Sequence, residues 1–169
     1  MRRNFIVLMM ILLFAFSGCT SESDEPTSVE QITFMHIEFD PPSYEVFVIT
    51  PDYMVKHYDF TQYWMDTSFD YFTDPLPPDD QYTVEEWQST EVQWNSMVDV
   101  VLENKFLDLP ETIELKDGND FGFSYIQVVA NGVTYKSGGY GAEYVSDKAG
   151  KSFKAIMSEV DEQLKSNDY

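Results

Sequence analysis

Two runs of alternating residues that flank a short turn constrain the fold of this chain more than any other feature. FGFSYIQVVA, residues 121–130, and VTYKS, residues 133–137, are separated by Asn131 and Gly132. Both turn residues tolerate the positive φ angles of a type I′ turn, whose twist matches that of paired antiparallel strands. The pattern therefore predicts a β-hairpin, and with it an antiparallel sheet.

A second group of strands is predicted nearer the start of the chain. QITFMHIEF (31–39), YEVFVIT (44–50) and YMVKHYDF (53–60) are rich in β-branched and aromatic residues, and short turns separate them. The proline-rich segment DPLPPDDQ, residues 74–81, is incompatible with regular structure. These runs indicate an antiparallel meander of three strands.

A first helix is predicted to begin at Thr83. Thr83 and Glu86 have the spacing of a capping box, in which each side chain binds a backbone N–H of the first turn. Trp87 and Trp94 then recur on one helical face, and the pattern continues to about residue 104. These tryptophans are predicted to belong to the core.

A second helix is predicted at the end of the chain, where apolar residues recur with the spacing of one helical face. Strands followed by a helix, and then strands and a helix again, are typical of an antiparallel sheet with helices on one side. We therefore predict an α+β domain, with an antiparallel sheet of five to six strands and two helices packed on one face. The apolar residues of the last helix are Phe153, Ile156, Met157, Val160 and Leu164.

The negative charge of the chain limits what it can bind. Among 169 residues there are 30 acidic and ten basic ones, which gives a formal net charge of -20, and both arginines, Arg2 and Arg3, lie at the start. Nucleic acid binding requires clustered lysine or arginine side chains, so this class of function is excluded. Because 43% of the residues are apolar, the chain can form a core, and a single domain is predicted over residues 30–169.

The first residues have the pattern of an export signal. Arg2 and Arg3 precede an apolar run, residues 5–16, which is shorter than the roughly 20 residues that a membrane-spanning helix needs. Such a run fits the apolar region of a secretory signal peptide. Cys19, the sole cysteine, follows Ser17 and Gly18. It has no second cysteine with which to form an internal disulfide.

The residues FSGC, Phe16 to Cys19, resemble the lipobox of bacterial lipoprotein precursors, with Phe16 standing where these signals usually carry leucine. The resemblance implies a signal peptide over residues 1–18, which is removed, and a lipid such as palmitate on Cys19. The expected location is the cell envelope, on a membrane that the lipid anchors. Residues 19–29 lack a folding pattern and are predicted to form a flexible, acidic tether.

A segment of the predicted domain, from His57 to Tyr82, interleaves aromatic and acidic residues more densely than a fold requires. Aromatic rings beside carboxylates can stack on sugars or present anchors to a protein partner. We therefore predict ligand contacts with an envelope protein or a glycan in this segment. The alternative is that the rings cover the sheet. The predicted ligand-binding residues are Tyr63, Trp64, Tyr71, Asp79 and Asp80.

Two histidine and carboxylate pairs are candidates for a metal site. His36 with Glu38, and His57 with Asp59, are each two residues apart on a predicted strand and so share a face. On neighbouring strands these four side chains could converge on a metal ion. The favoured alternative is that they are polar positions on the solvent face of the sheet. No metal and no cofactor is therefore predicted.

The sequence matches known catalytic motifs only in part. Gly150-Lys151-Ser152 resembles the end of a phosphate-binding loop, but Val145 stands where a glycine is required, so no nucleotide is predicted. The chain has no G-x-S-x-G nucleophile motif, whereas hydrolysis by paired carboxylates stays open. A binding or interaction module is favoured over a small envelope hydrolase, either metal-dependent or carboxylate-based. A shaped pocket that holds both histidines or two facing carboxylates would favour the hydrolase, and a flat aromatic surface would favour the binding module.

Overall fold

The computed structural model describes residues 27–66, 69–116 and 121–165. Within them, a six-stranded antiparallel sheet with the order β4-β3-β2-β1-β5-β6 and three α-helices confirm the predicted α+β class. The predicted signal peptide and most of the predicted tether lie outside the described residues. The elements are β1 (Val29–Phe39), β2 (Pro42–Ile49), β3 (Met54–Asp59), α1 (Thr61–Asp66), β4 (Thr83–Gln88), α2 (Glu91–Glu103), β5 (Phe123–Ala130), β6 (Val133–Tyr140) and α3 (Lys148–Lys165).

The hairpin at Asn131 and Gly132 is confirmed, and it also holds the start of β1. Both turn residues have positive φ angles, 49° and 72°, as a type I′ turn requires. The Ser28 N–H donates to Asn131 Oδ1 at 2.8 Å, and the Asn131 N–H donates to the Ser28 carbonyl at 3.0 Å. The Gly132 N–H donates to Glu30 Oε1 at 2.9 Å. The beginning of β1 is thereby fixed to the β5–β6 turn.

The predicted helix start at Thr83 is wrong. Residues 83–88 form the edge strand β4, which pairs with β3, and α2 begins eight residues later with Thr90 as its N-cap. The Gln93 N–H donates to Thr90 Oγ1, and the Thr90 N–H donates to Gln93 Oε1, which completes a capping box. Two stretches of the chain thus carry capping residues. Pairing with β3 places the first of them in the sheet, because tertiary contacts override local helix signals.

Helices α2 and α3 pack on one face of the sheet, as predicted. The large apolar residues that were expected on one side of α3 are buried there, with Met157 partly buried. Each such side chain contributes roughly 1.5–3 kcal/mol by leaving water. This core contains Ile32, Phe34, Ile49, Val55, Ile126 and Val128 of the sheet, Trp94, Met97 and Val101 of α2, and Phe153, Ile156, Val160 and Leu164 of α3.

The opposite face of the sheet is covered by aromatic residues from the segment between β3 and β4. We call residues 60–66 and 69–82 the aromatic cover. Phe60 and Phe69 are buried against Tyr44 of β2, with ring centroids 5.7 and 5.8 Å from that of Tyr44. The Tyr44 O–H donates to Met35 Sδ at 3.1 Å, and the Tyr71 N–H donates to Tyr44 Oη at 2.8 Å. The sheet therefore has a core on each side.

Candidate functional site

A cleft of about 1120 Å³ opens on the helix-covered face of the sheet. Its base is formed by side chains of β1 to β4, and its side by α3 and the short 3-10 helix Ala142–Tyr144. The cleft is somewhat larger than most small-molecule pockets, which measure about 300–1,000 Å³. This space is the candidate functional site.

Strand register explains why polar residues collect at the base of the cleft. Residues directly opposite each other in a sheet point to the same face. His36 of β1 lies opposite Glu45 of β2, which lies opposite Asp59 of β3. In the next row, His57 of β3 lies between Phe47 on β2 and Glu85 on β4. Both histidines are therefore on the side of the sheet that bears the cleft.

His57 is held by aromatic contacts and by one carboxylate. Its ring stacks on Phe47, with centroids 4.3 Å apart and an interplanar angle of 4°, and the ring of Trp87 meets it edge-on at 6.3 Å. His57 Nε2 lies 3.6 Å from Glu45 Oε1, which is too long for a hydrogen bond. Interaction with His57 lowers the pKa of Glu45 below its ordinary value of 4.5, although burial acts in the opposite direction.

His36 has a partner at each ring nitrogen. Nδ1 lies 3.0 Å from Ser124 Oγ, and Nε2 lies 3.0 Å from Glu38 Oε1. These two contacts fix the orientation of the ring. His36 therefore has less capacity than His57 to bind anything that enters the cleft.

Three buried polar atoms in residues that line the cleft have no hydrogen-bond partner. They are His57 Nε2, Trp87 Nε1 and Glu143 Oε2, and they are the buried side-chain atoms without a partner in the described part of the chain. Leaving such a group unpaired costs about 1–3 kcal/mol, so few are found in native proteins. Each has almost no surface open to solvent, so a ligand in the cleft would reach these atoms only if the surrounding side chains moved.

The cleft is strongly acidic. Glu86 pairs with Lys56 at 2.8 Å, and Asp161 pairs with Lys165 at 2.7 Å. Among the described residues, Glu85 and Glu143 form no ion pair. Their charges are therefore available to a ligand. The charged side chains that line the cleft are Glu38, Glu45, Glu85, Glu86, Glu143, Asp161, Lys154 and Lys165.

The four candidates for a metal site are not arranged as one. His36 contacts Glu38, whereas His57 contacts Glu45 on the strand between them. Asp59 Oδ1 accepts the Thr61 N–H at 2.8 Å and caps the start of α1. Over residues 27–66, 69–116 and 121–165, no three or more His, Cys, Asp or Glu side chains are grouped to hold a metal ion.

The residues predicted to bind a ligand lie in the aromatic cover, away from the cleft. Tyr63 meets Phe69 edge-on, and Tyr71 packs beside Tyr58 and Phe60. Burial raises the pKa of Tyr71 to about 12. The rings thus pack against the sheet, while a role in binding stays a prediction. Asp79 and Asp80 are exposed, with Asp79 accepting the Tyr82 O–H, and the side chain of Trp64 lies outside the described residues.

Several cleft residues were missed by sequence reasoning. Glu45 lies in a predicted strand, and its place opposite His36 becomes evident only from the register of β1 and β2. Trp87 was assigned to a helix, although its aromatic character also suits a strand. Glu143 lies in a 3-10 helix that no sequence signal indicated.

Comparison with known protein families and with curated protein sequences returned no match for this chain. In the part of the chain that the structure describes, no helix is both long enough and apolar enough to cross a membrane.

Proposed function

We propose that this protein is a lipid-anchored binding protein of the bacterial cell envelope, and that the cleft is its ligand site. The observation that carries the proposal is an open cleft of about 1120 Å³ in whose lining Glu85 and Glu143 form no ion pair among the described residues. A positively charged ligand would be attracted by these carboxylates. Of the residues predicted to bind a ligand in the aromatic cover, Tyr63 and Tyr71 then pack against the second core.

The anchor rests on the N-terminal sequence. Two arginines, an apolar run, two small residues and Cys19 stand in the order of a lipoprotein signal. Two or three acyl chains would hold the domain firmly, whereas a single chain anchors a protein only marginally.

A carboxylate-based hydrolase is the second candidate, because the cleft holds both histidines and several carboxylates. A general acid of this kind needs a carboxyl group whose pKa is raised, so that it keeps its proton near neutral pH. The pKa of Glu45, which lies between the two histidines, is instead lowered. An ionised Glu45 suits the binding of a positively charged group better than proton donation.

Fractionation of cells that express Cys19→Ser tests the anchor. We expect the wild-type protein and a Ser21→Ala control in the membrane fraction, and the Cys19→Ser protein in the soluble fraction. Labelling with a fatty-acid analogue should mark the wild type and the control alone. A Cys19→Ser protein that remains in the membrane fraction would contradict the lipid anchor.

Nuclear magnetic resonance of the full-length protein, purified from membranes in detergent, tests the cleft. Envelope extract is separated into peptide, glycan and small-molecule fractions, and each is added in turn. We expect one fraction to shift the Trp87 indole N–H and the His57 ring signals. Shifts confined to Tyr63 and Tyr71 would move the site to the aromatic cover, and turnover of a component of the extract would favour the hydrolase.

A further inference from the structure

We infer that the ligand of the cleft is a basic peptide segment, which lies extended along the edge of β4 and directs lysine or arginine side chains into the cleft. The inference rests on the proposed function, because it names the ligand class of the same site. Two independent features support it: an open strand edge and the charge of the cleft.

The cleft reaches the outer edge of the sheet. Four consecutive residues of β4, from Glu85 to Gln88, line it. Because side chains alternate between the faces of a strand, four consecutive residues can border one space only where that space meets the strand edge. β4 is the last strand on this side and, among the described residues, pairs with β3 alone. Its outer N–H and C=O groups are therefore free to pair with an extended peptide.

The charge of the cleft selects the kind of strand that can pair there. Glu85 and Glu143 line the cleft without an ion pair in the described chain. Carboxylates on an edge strand discourage pairing with a second acidic strand. A second copy of this chain, with its net charge of -20, would be repelled. A segment that carries lysine or arginine would be attracted.

Binding of fluorescein-labelled probe peptides to the full-length protein in detergent, measured by fluorescence anisotropy, tests the inference. The probe alternates lysine and valine over six residues. Two matched peptides replace lysine with glutamate, or carry N-methyl groups that block pairing with a strand edge. We expect the lysine probe to bind, with weaker binding at high salt, and the two matched peptides to bind at least tenfold more weakly.

Variants locate the bound peptide. Glu85→Gln and Glu143→Gln should each weaken binding about two- to fivefold, the range typical of single partly exposed ion pairs. Glu103→Gln removes the same charge from an exposed position on α2 outside the cleft and should leave binding unchanged.

The outcomes separate this inference from the proposed function. If the lysine and N-methyl peptides bind equally well, or if spermidine binds as tightly as the lysine peptide, pairing with β4 is overturned. Either result would show a site for cations that does not require a strand edge. Binding of an N-acetylglucosamine tetramer but not of the lysine peptide would overturn the inference of a peptide ligand. The proposal that the cleft is a ligand site would be retained. A lysine peptide that binds Glu85→Gln and Glu143→Gln as tightly as the wild type would also overturn the inference.

Discussion

The two faces of the sheet are covered in different ways, and the difference shows where a site can form. Mainly aliphatic residues of α2 and α3, together with Trp94 and Phe153, cover one face, and aromatic rings from the segment between β3 and β4 cover the other. The rings fill the space above β2 and β3. On the helix side, the cleft remains between α3 and the strands. A high density of aromatic residues therefore marks a packed surface here, and the candidate site lies where coverage of the sheet is incomplete.

The largest expected effect on stability tests whether the aromatic cover and the helices on the opposite face contribute equally to the core. Phe60→Ala removes a fully buried ring from the aromatic cover, and Phe153→Ala removes one from α3. Because each leaves a cavity, each should lower the free energy of unfolding by about 3–5 kcal/mol, measured by urea denaturation. If Phe60→Ala costs less than about 1 kcal/mol while Phe153→Ala shows the full loss, the aromatic cover is loosely packed. It would then again be a candidate binding surface.

Alkaline pH should lower the stability of the fold through tyrosines on the side of the sheet that carries the aromatic cover. Burial raises the pKa of Tyr71 to about 12 and also raises that of Tyr44, and both residues belong to this second core. Below pH 10 these tyrosines are neutral in both states, and their contribution to stability is complete. As the pH rises from 10 towards 12, the unfolded chain ionises first, so the folded state loses stability.

Urea denaturation between pH 8 and pH 11.5 measures this loss. Tyr71→Phe removes one of the ionising groups and should make the decline with pH less steep. An equally steep decline in Tyr71→Phe and in a Tyr44→Phe, Tyr71→Phe double variant would assign the alkaline sensitivity to other residues, and the two faces would not differ in this respect.

Acid pH should lower the stability of the fold through a carboxylate in the cleft. This is the smallest of the expected effects. Interaction with His57 lowers the pKa of Glu45 in the folded state, so this carboxylate stabilises the fold above about pH 4.5 and loses that effect as the pH falls below it. Glu45 is partly exposed, so the contribution should be less than about 1 kcal/mol. Glu45→Gln should remove this part of the dependence between pH 3 and pH 6, and Glu103→Gln should not.

The sequence was sufficient for the fold class because its strongest signals are local. Asn131 and Gly132 specify a hairpin turn, and the apolar spacing from Phe153 to Leu164 specifies a helix, whichever residues they contact. Thr83 was misassigned because its capping pattern is also local, whereas the strand it joins depends on β3, more than twenty residues earlier. Local patterns cannot rank such competing contacts.

The candidate site was less predictable because it depends on register and coverage. Alternation along each strand placed His36 with Glu38, and His57 with Asp59, on a shared face. It could not show that Glu45 of β2, the strand between the two histidines, would take up the contact with His57. Nor could composition distinguish rings that bind a ligand from rings, such as Phe60 and Phe69, that bury a sheet.

The fixed beginning of β1 sets the distance between the tether and one end of the cleft. Ser28 is held at the β5–β6 turn, and β1 runs from there to Glu38, which lines the cleft. At about 3.4 Å per residue, this strand carries the cleft's Glu38 end roughly 30 Å from the point at which the tether joins the domain. A lipid on Cys19 would therefore attach the domain at its hairpin turn, and a flexible tether would leave that end of the cleft free to meet partners away from the bilayer.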